Sequence, residues 1–307
     1  MAAAIFQSTL ALFLRKTLDG IVDDTSDEMA ASEPGKEFLK FEPMEGAYED
    51  YTSIAGPGLA KEKPEGEDIG IGEMFVGGVL RITARTIGLR MIITREAIED
   101  NKYPQVIRAA RMCKRAIYNT RAFDQAAVLV RAWDTTDNRF LCADSLPLCS
   151  ASHLLPTGAT YSNTLSVVLG PSVQAISAVR TAIRKLPALD GLPQQHLMPT
   201  KVVHPIEQDP VWDYIFGSSM DPQAGNFSKI NVARKWNIDH YGCVYWDNTS
   251  TNWLVRTNAE DQVLFKERRK PEGHSWVTEE SQNMSYSCTE RHTVGAPDPR
   301  AFYGSQA

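Results

Sequence analysis

Three residues that can bind a metal lie close together near the middle of the chain: Cys142, Cys149 and His153. Zinc sites are built from such ligands, but they need pairs of ligands at short, regular spacing. Here the spacing is C-x6-C-x3-H, and no second pair lies nearby. The five cysteines are scattered, which does not fit a disulfide framework and favours a reducing compartment. We therefore expect a turn-rich loop with partly buried thiols and no metal.

A second group of ligand types is His196, His204 and Glu207. His204 precedes Pro205 at the end of a predicted strand, where a hydrogen-bonded structural histidine is the simpler interpretation. The sequence also contains no nucleophile elbow, no P-loop and no dinucleotide-binding motif. Its Asp and Glu residues single out no acid–base pair. We expect no catalytic residue and no cofactor, and so a protein that is not an enzyme.

One covalent reaction stays open on chemical grounds. Lys61 and Lys63 lie at the expected tip of a protruding arm. There, an amine could attack an asparagine carboxamide of another subunit, with a desolvated glutamate as the base, and form an isopeptide bond. Solvated lysines with no such role are the alternative.

That arm occupies residues 43–94 and contains nine glycines. Apolar residues alternate along its second half, with a one-residue slip beside Gly88, which predicts a strand with a bulge at that position. A hairpin of this kind can bury little surface within one chain. We therefore expect other subunits to cover it.

Residues 103–133 predict one long helix, because they contain no glycine, and no proline after the first turn. Such a helix spans about 45 Å. Its apolar stripe is narrow: Val106, Ile107, Ala110, Cys113, Ile117, Ala127 and Val130. Its other faces carry the basic residues Arg108, Arg111, Lys114, Arg115, Arg121 and Arg131. We expect this helix to lie along the outside of a small domain, where other chains reach it.

The N-terminus is apolar from residue 2 to 14, but its charges follow the apolar run, and the run is shorter than the ~20 residues of a membrane span. Helical spacing favours an amphipathic docking helix over an export signal. We expect the arm at 1–45 to be anchored on a neighbouring subunit by Phe6, Leu10, Phe13 and Leu14. This segment has no sustained heptads, so we expect any scaffolding function to belong to a separate protein.

Charge is unevenly distributed along the chain. The net charge is −6, made of −9 in residues 1–70 and +3 in residues 71–307. The acidic segment either is a solvated tail or pairs with basic surface of neighbours, such as Arg108, Arg111 and Arg115. In the second case salt weakens assembly. No basic block with interleaved aromatic residues indicates sequence-specific nucleic-acid binding.

The remaining pattern is α+β. Residues 134–163 predict a long loop, and a helix should follow from Pro171 at its first position to Leu186. A short strand at 198–204 and a short helix at 209–216 come next. From Tyr241 onwards we expect strands, the first two joined as a hairpin through the turn DNTST. A last extended segment covers 276–292.

Several stretches, taken in order, resemble one known family. IITREAIEDNKYPQVIRAA (92–110) and TRAFDQAAVLV (120–130) resemble the start and end of the spine helix of tailed-bacteriophage major capsid proteins, which have the Hong Kong 97-type fold. YWDNTSTNWLVRT (245–257) and ERHTVGAPDPRAFYGSQ (290–306) resemble that family's late strands and C-terminal end. Residues 141–166 resemble a loop of Mu-like major head subunits, although Leu154 follows His153 where proline is usual.

The resemblance implies an architecture and a function. The implied parts are an N-terminal arm (1–45), an extended hairpin loop (46–93), a peripheral domain with the spine helix (94–164), an axial domain (165–257), and returning strands with a C-terminal tail (258–307). It implies self-assembly as pentamers and hexamers into an icosahedral head shell around double-stranded DNA. The shell is part of the virion and is assembled in the host cytoplasm. Implied partners are a portal and separate scaffolding or decoration proteins, and no membrane.

Two alternatives remain. An encapsulin-like compartment has the same fold and would enclose a cargo enzyme, and the phage-type loop at 141–166 argues against it. A soluble enzyme is the other alternative, and it lacks a catalytic constellation. Nucleic acid inside purified shells would indicate a capsid and not an encapsulin-like compartment. Monomeric behaviour on a sizing column would favour a soluble enzyme.

Overall fold

The structure is a computed structural model that describes Met29 and residues 32–96, 103–167, 169–194, 196–221, 229–246, 251–278 and 283–306. Its helices are α1 (Tyr103–Val130), α2 (Val173–Ile183) and α3 (Asp209–Gly217). Its strands are β1 (Lys40–Pro43), β2 (Tyr48–Ala55), β3 (Phe75–Thr83), β4 (Arg85–Ile93), β5 (His153–Leu154), β6 (Thr160–Tyr161), β7 (Pro199–Pro205), β8 (Asp239–Cys243), β9 (Trp253–Thr257), β10 (Leu264–Val277), β11 (Met284–Gly295) and β12 (Phe302–Ser305). Within these ranges, no helix is long and apolar enough to cross a lipid bilayer.

The first sheet has the strand order β1-β10-β11-β4 and supports the long helix α1. Ala110, Cys113 and Ile117 of α1 pack against Tyr286 and Cys288 of β11, all of them buried. The predicted apolar stripe is thus confirmed at these three positions, and α1 ends at Val130, three residues earlier than expected. Val130 itself is exposed. Exposed residues of α1 lie mainly in its first two thirds and include Arg108, Arg111, Arg115 and Phe123, whereas most side chains from Arg121 to Leu129 are buried.

The second sheet has the order β12-β9-β7-β8, and α2 and α3 pack with it around a core of their own. Ser172 caps α2, since its Oγ accepts a hydrogen bond from Ala175 N at 2.9 Å. Pro171 therefore precedes the cap and does not occupy the first helical position, as the sequence pattern had suggested. Trp212 of α3 and Trp253 of β9 are fully buried with ring centroids 5.1 Å apart, which fixes α3 on this sheet.

The bulge expected beside Gly88 is wrong. β4 pairs with β11 in unbroken register from Arg85, opposite His292, to Ile93, opposite Met284. The interruption lies at Ala84 instead, where the chain leaves its pairing with β2 and enters the first sheet. After Ala84 the inward-facing residues are Ile87, Met91 and Ile93, which pack with β11 and α1, so the slip in the apolar pattern follows from the change of partner.

The expected hairpin between β8 and β9 is also wrong. β7 lies between them, parallel to β8 and antiparallel to β9. Residues 247–250 of the proposed turn lie outside the described residues. Sequence proximity favoured a local hairpin, but a third strand from 40 residues upstream takes the position between the two.

Candidate assembly interface

The hairpin formed by β2 and β3 exposes apolar side chains in the part of the chain that the structure describes. The strands pair from Tyr48 opposite Thr83 to Ala55 opposite Phe75. The segment 56–74 between them has no helix or strand and is exposed almost throughout. Ile71 is 95% exposed and Ile69 79%, and several other apolar side chains of the hairpin are exposed: Ile54, Leu59, Met74, Phe75, Val76 and Val79. So many exposed apolar side chains on one projecting element favour a protein–protein contact.

The base of the hairpin is held by a buried cation. Lys266 of β10 has its Nζ 2.7 Å from Glu42 Oε2 of β1 and 2.9 Å from Glu49 Oε2 of β2, and its side chain is 5% exposed. Burial alone would lower the pKa of Lys266, but hydrogen bonds to Glu42, Tyr51 and Glu49 outweigh burial and raise it. The hydrogen bond from Lys266 holds the pKa of each glutamate below its usual value. This cluster joins the hairpin to the first sheet.

A second buried cluster holds the segment before β1. Arg121 of α1 has its Nε 3.0 Å from Glu33 Oε1 and an Nη 2.5 Å from Glu267 Oε2. A further Nη lies 3.5 Å from Glu290 Oε2, and the guanidinium stacks on Phe265 at 4.5 Å. Burial raises the pKa of Glu33, and the charge of Arg121 opposes that shift. The cluster thus connects the N-terminal segment, the long helix and both central strands of the sheet.

Gln125 of the same helix extends this contact. Gly35 N donates to Gln125 Oε1 at 3.0 Å, and Gln125 Nε2 donates to Glu33 Oε2 at 3.2 Å. A Cβ added at Gly35 would lie 2.7 Å from Gln125 Cδ, so glycine allows the close approach. Residues 33–37 are therefore seated on the helix before the chain enters the sheet.

Two of the basic residues assigned to the solvated faces of α1 are placed differently by the structure. Arg121 and Lys114 are both buried, at 4% and 2% exposure. Helical spacing shows which residues share a face, but it does not show that acidic residues of β10 and β11 lie opposite one of the charged faces. No sequence signal identified this pairing, since Glu267 and Glu290 are far along the chain.

Arg108, Arg111 and Arg115 remain exposed, as expected, and their spacing places them on one face of α1. Lys61 and Lys63 are exposed in the segment that links β2 and β3. Phe6, Leu10, Phe13 and Leu14 lie outside the described residues. The intersubunit contacts expected for these nine residues stay predictions.

Among the described residues, no group of metal ligands comes together around the thiols of the loop after α1. Cys142 and Cys149 are buried, and burial raises the pKa of both thiols. The His153 ring is hydrogen-bonded to Asp144, since His153 Nδ1 lies 2.6 Å from Asp144 Oδ2. Asn163 then fastens the loop, because its Nδ2 donates to Leu148 O at 2.7 Å and to Pro299 O at 2.9 Å. The loop is a structural support for the C-terminal segment.

The hairpin lies across this loop. A cleft of about 370 Å³ separates them and is lined by residues that include Gly78, Ala143 and Pro156. A Cβ added at Gly78 would overlap Ala143 O, so β3 approaches the loop through a glycine. The hairpin therefore has a fixed path over the body, and only its outer part projects.

His196, His204 and Glu207 do not come together as a ligand set. His196 and Glu207 are exposed, whereas His204 is fully buried and stacks on Trp212 with ring centroids 5.8 Å apart. Its Nε2 instead lies 3.3 Å from Nδ1 of His240, a residue of β8 that the sequence pattern had not singled out.

Comparison with known proteins places the fold. No protein-family model and no curated protein matches the sequence. The capsid of cyanophage P-SCSP1u superposes with a TM-score of 0.55 at 11% identity, over 87% of this chain and 86% of that one. A virus-like particle from Pyrococcus furiosus superposes with a TM-score of 0.53 at 9% identity, over 94% of this chain and 98% of that one. The holo-SrpI encapsulin complex from Synechococcus elongatus superposes with a TM-score of 0.52 at 9% identity, over 88% of this chain and 85% of that one.

At these identities the likeness establishes architecture and not activity. The chain is an α+β protein with the Hong Kong 97-type capsid fold.

Proposed function

We propose that this chain is the major capsid protein of a tailed bacteriophage and self-assembles into the icosahedral head shell that encloses packaged double-stranded DNA. The observation that carries the proposal is the hairpin, whose base is fixed by the buried Lys266 cluster while its outer part exposes apolar side chains such as Ile69 and Ile71. A rigid element with uncovered apolar surface suits a contact repeated between identical subunits.

The parts of the chain have distinct roles in this proposal. The hairpin loop (46–93) reaches over a neighbouring subunit, and the arm (1–45) connects capsomers. The peripheral domain (94–164, with strands after 258) carries the spine helix, whose exposed Arg108, Arg111 and Arg115 meet acidic segments of neighbours. The axial domain (165–257) meets its copies around the centres of pentamers and hexamers.

The proposal also covers the location of the protein and its partner proteins. The shell belongs to the virion and is assembled in the host cytoplasm, with a portal and separate scaffolding or decoration proteins. The protein has no catalytic role and does not read DNA sequence. The loop at 141–166 supports a position within the Mu-like group, because its Tyr161-Ser162-Asn163 triplet resembles that group's loop.

The full-length chain, expressed alone, is expected to form capsomers or shells, which electron microscopy and light scattering after size exclusion would detect. Particles isolated from infected cells are expected to contain nuclease-protected double-stranded DNA. A stable monomer at high protein concentration would contradict assembly and favour a soluble enzyme. Particles that contain a protein cargo and no nucleic acid would favour the encapsulin alternative instead.

The shell is expected to contain no covalent cross-links between subunits. Isopeptide formation needs a desolvated carboxylate base beside the amine, and the acidic residues of the segment 56–74 that holds Lys61 and Lys63 are all exposed, so this segment supplies no such base. Shells boiled in detergent are expected to run on a gel as single 34.1 kDa chains. A ladder of larger species that disappears in Lys61→Ala or Lys63→Ala would reverse this prediction.

A further inference from the structure

Three potential metal ligands converge in the second sheet, although they come from three different elements. His204 lies near the end of β7, Asp209 begins α3, and His240 lies in β8. His204 Nε2 is 3.3 Å from His240 Nδ1 and 3.7 Å from Asp209 Oδ1, and His240 Nδ1 is 3.5 Å from the same carboxylate oxygen. One small triangle therefore contains two imidazole nitrogens and one carboxylate oxygen.

The hydrogen bonds around the triangle define the tautomers of the two rings. His204 Nδ1 lies 2.9 Å from Pro205 O, which can only accept, so this nitrogen carries the proton. His240 Nε2 lies 3.2 Å from Asp213 Oδ1 and donates to it. Each ring then directs the lone pair of its other nitrogen into the triangle. Either a proton on His240 Nδ1 donated to His204 Nε2, or a cation bound by both lone pairs and the carboxylate, removes the repulsion among these atoms.

The dimensions of the triangle suit a specific class of ion. Zinc binds imidazole nitrogen and carboxylate oxygen at about 2.0–2.1 Å in tetrahedral geometry, which places neighbouring ligand atoms about 3.3 Å apart. The observed separations are 3.3, 3.5 and 3.7 Å. A metal-bound histidine also characteristically donates its second ring N–H to a carbonyl or a carboxylate, as both rings do here. Larger, oxygen-preferring ions such as Ca²⁺ need six or more oxygen ligands.

The surrounding packing holds the ligands in place. His204 is fully buried and stacks on Trp212, and His240 stacks on Phe216 with ring centroids 5.9 Å apart. A Cβ added at Gly242 would lie 2.9 Å from Asp209 Oδ1, so the glycine leaves room for the carboxylate. The Asp209 side chain is 40% exposed, which gives an ion access from solvent.

We propose that His204, His240 and Asp209 bind one divalent cation of the zinc class in each subunit, with water in the fourth position. Asp213 and the Pro205 carbonyl are positioning groups that orient the two imidazoles. The ion joins the edge strand β8 to β7 and to the first residue of α3, so it stabilises one end of the second sheet. This inference concerns the subunit alone and is independent of shell assembly.

Zinc binding to untagged full-length protein, stripped with a chelator and dialysed, tests the proposal. Isothermal titration is expected to give one Zn²⁺ per subunit, and Co²⁺ is expected to give the intense visible absorption of a tetrahedral site. The protein should also melt at a higher temperature with Zn²⁺ present, because the ion binds only the folded chain. No stoichiometric binding, or a weak octahedral cobalt spectrum, would overturn the proposal.

Variants locate the site. His240→Ala and Asp209→Asn are expected to weaken Zn²⁺ binding at least tenfold, and Asp213→Asn about tenfold through loss of ring orientation. The control is His196→Ala, which removes an exposed histidine outside the triangle and should leave binding unchanged. Circular dichroism of each metal-free variant checks that it is folded. Binding that is unchanged in a folded His240→Ala variant, or lost equally in His196→Ala, would contradict the assignment.

Discussion

The double variant Ile69→Asp/Ile71→Asp is expected to abolish shell assembly while the subunit stays folded. Both side chains are almost fully exposed in the single chain, so neither contributes to its core. Burying one isoleucine in an interface contributes about 1.5–3 kcal/mol, and a charge placed there adds a desolvation cost. The two positions together therefore weaken each contact by at least about 3 kcal/mol, which is a hundredfold or more in the concentration needed for assembly.

Analytical ultracentrifugation over a range of protein concentrations measures this effect, and circular dichroism verifies that the subunit is folded. The matched control is Ile69→Val/Ile71→Val, which keeps both positions apolar and should still assemble. Shells that form from the aspartate variant at the concentration sufficient for the unsubstituted protein would show that the hairpin tip is not a subunit contact. The proposed function would then have to rest on another surface.

The variant Arg121→Met is expected to destabilise the subunit by about 3–5 kcal/mol, the usual cost of removing one partner from a buried ion pair. Methionine keeps most of the apolar volume of the arginine stem, so the loss is mainly electrostatic. The carboxylate of Glu33 is buried and loses the guanidinium beside it, whereas Glu290 keeps His292 Nδ1 at 3.0 Å. The free energy of urea-induced unfolding, measured in the assembly-deficient Ile69→Asp/Ile71→Asp background, isolates this effect from assembly.

The control for this prediction is Arg115→Met, an exposed position on the same helix, where the change should stay within about 0.5 kcal/mol. A pH series separates charge from packing. The pKa of Glu33 is already raised by burial, and loss of Arg121 raises it further. The folded chain then binds a proton more readily than the unfolded chain, so stability of Arg121→Met should partly recover as the pH falls. A loss that is independent of pH, or equal for both variants, would show that the buried charge cluster is not the cause.

Some elements of this fold were predictable because they depend on local sequence. The long helix α1 follows from residues that contain no helix breaker beyond the first turn, and the apolar spacing of Ala110, Cys113 and Ile117 correctly identifies its buried face. The helix at Asp209–Gly217 and the strand at Pro199–Pro205 are confirmed to within one residue of the predicted bounds. Motif order along the chain also indicated the fold, which the structural comparisons confirm.

The candidate site was less predictable, because its contacts join residues far apart in sequence. Lys266 meets Glu42 and Glu49 from more than 200 residues away, and no spacing rule connects them. The exposed apolar side chains of the hairpin were partly predictable from the sequence, since a glycine-rich segment with alternating apolar residues cannot form a core of its own. The metal triangle had no such signal: the place of His204 before Pro205 predicts a structural histidine, and no sequence motif connects it with Asp209 or His240.

The sequence by itself thus determined the helices α1, α2 and α3 and several of the strands, because helix breakers and hydrophobic periodicity act within a few residues. Only the tertiary structure decided which strands are neighbours, and it placed β7 between β8 and β9 and broke the strand pattern at Ala84. It also decided that Arg121 and Lys114 are buried. The physical reason is that pairing of strands and burial of charge depend on groups brought together by the whole chain, and a side chain's own neighbours in sequence do not specify them.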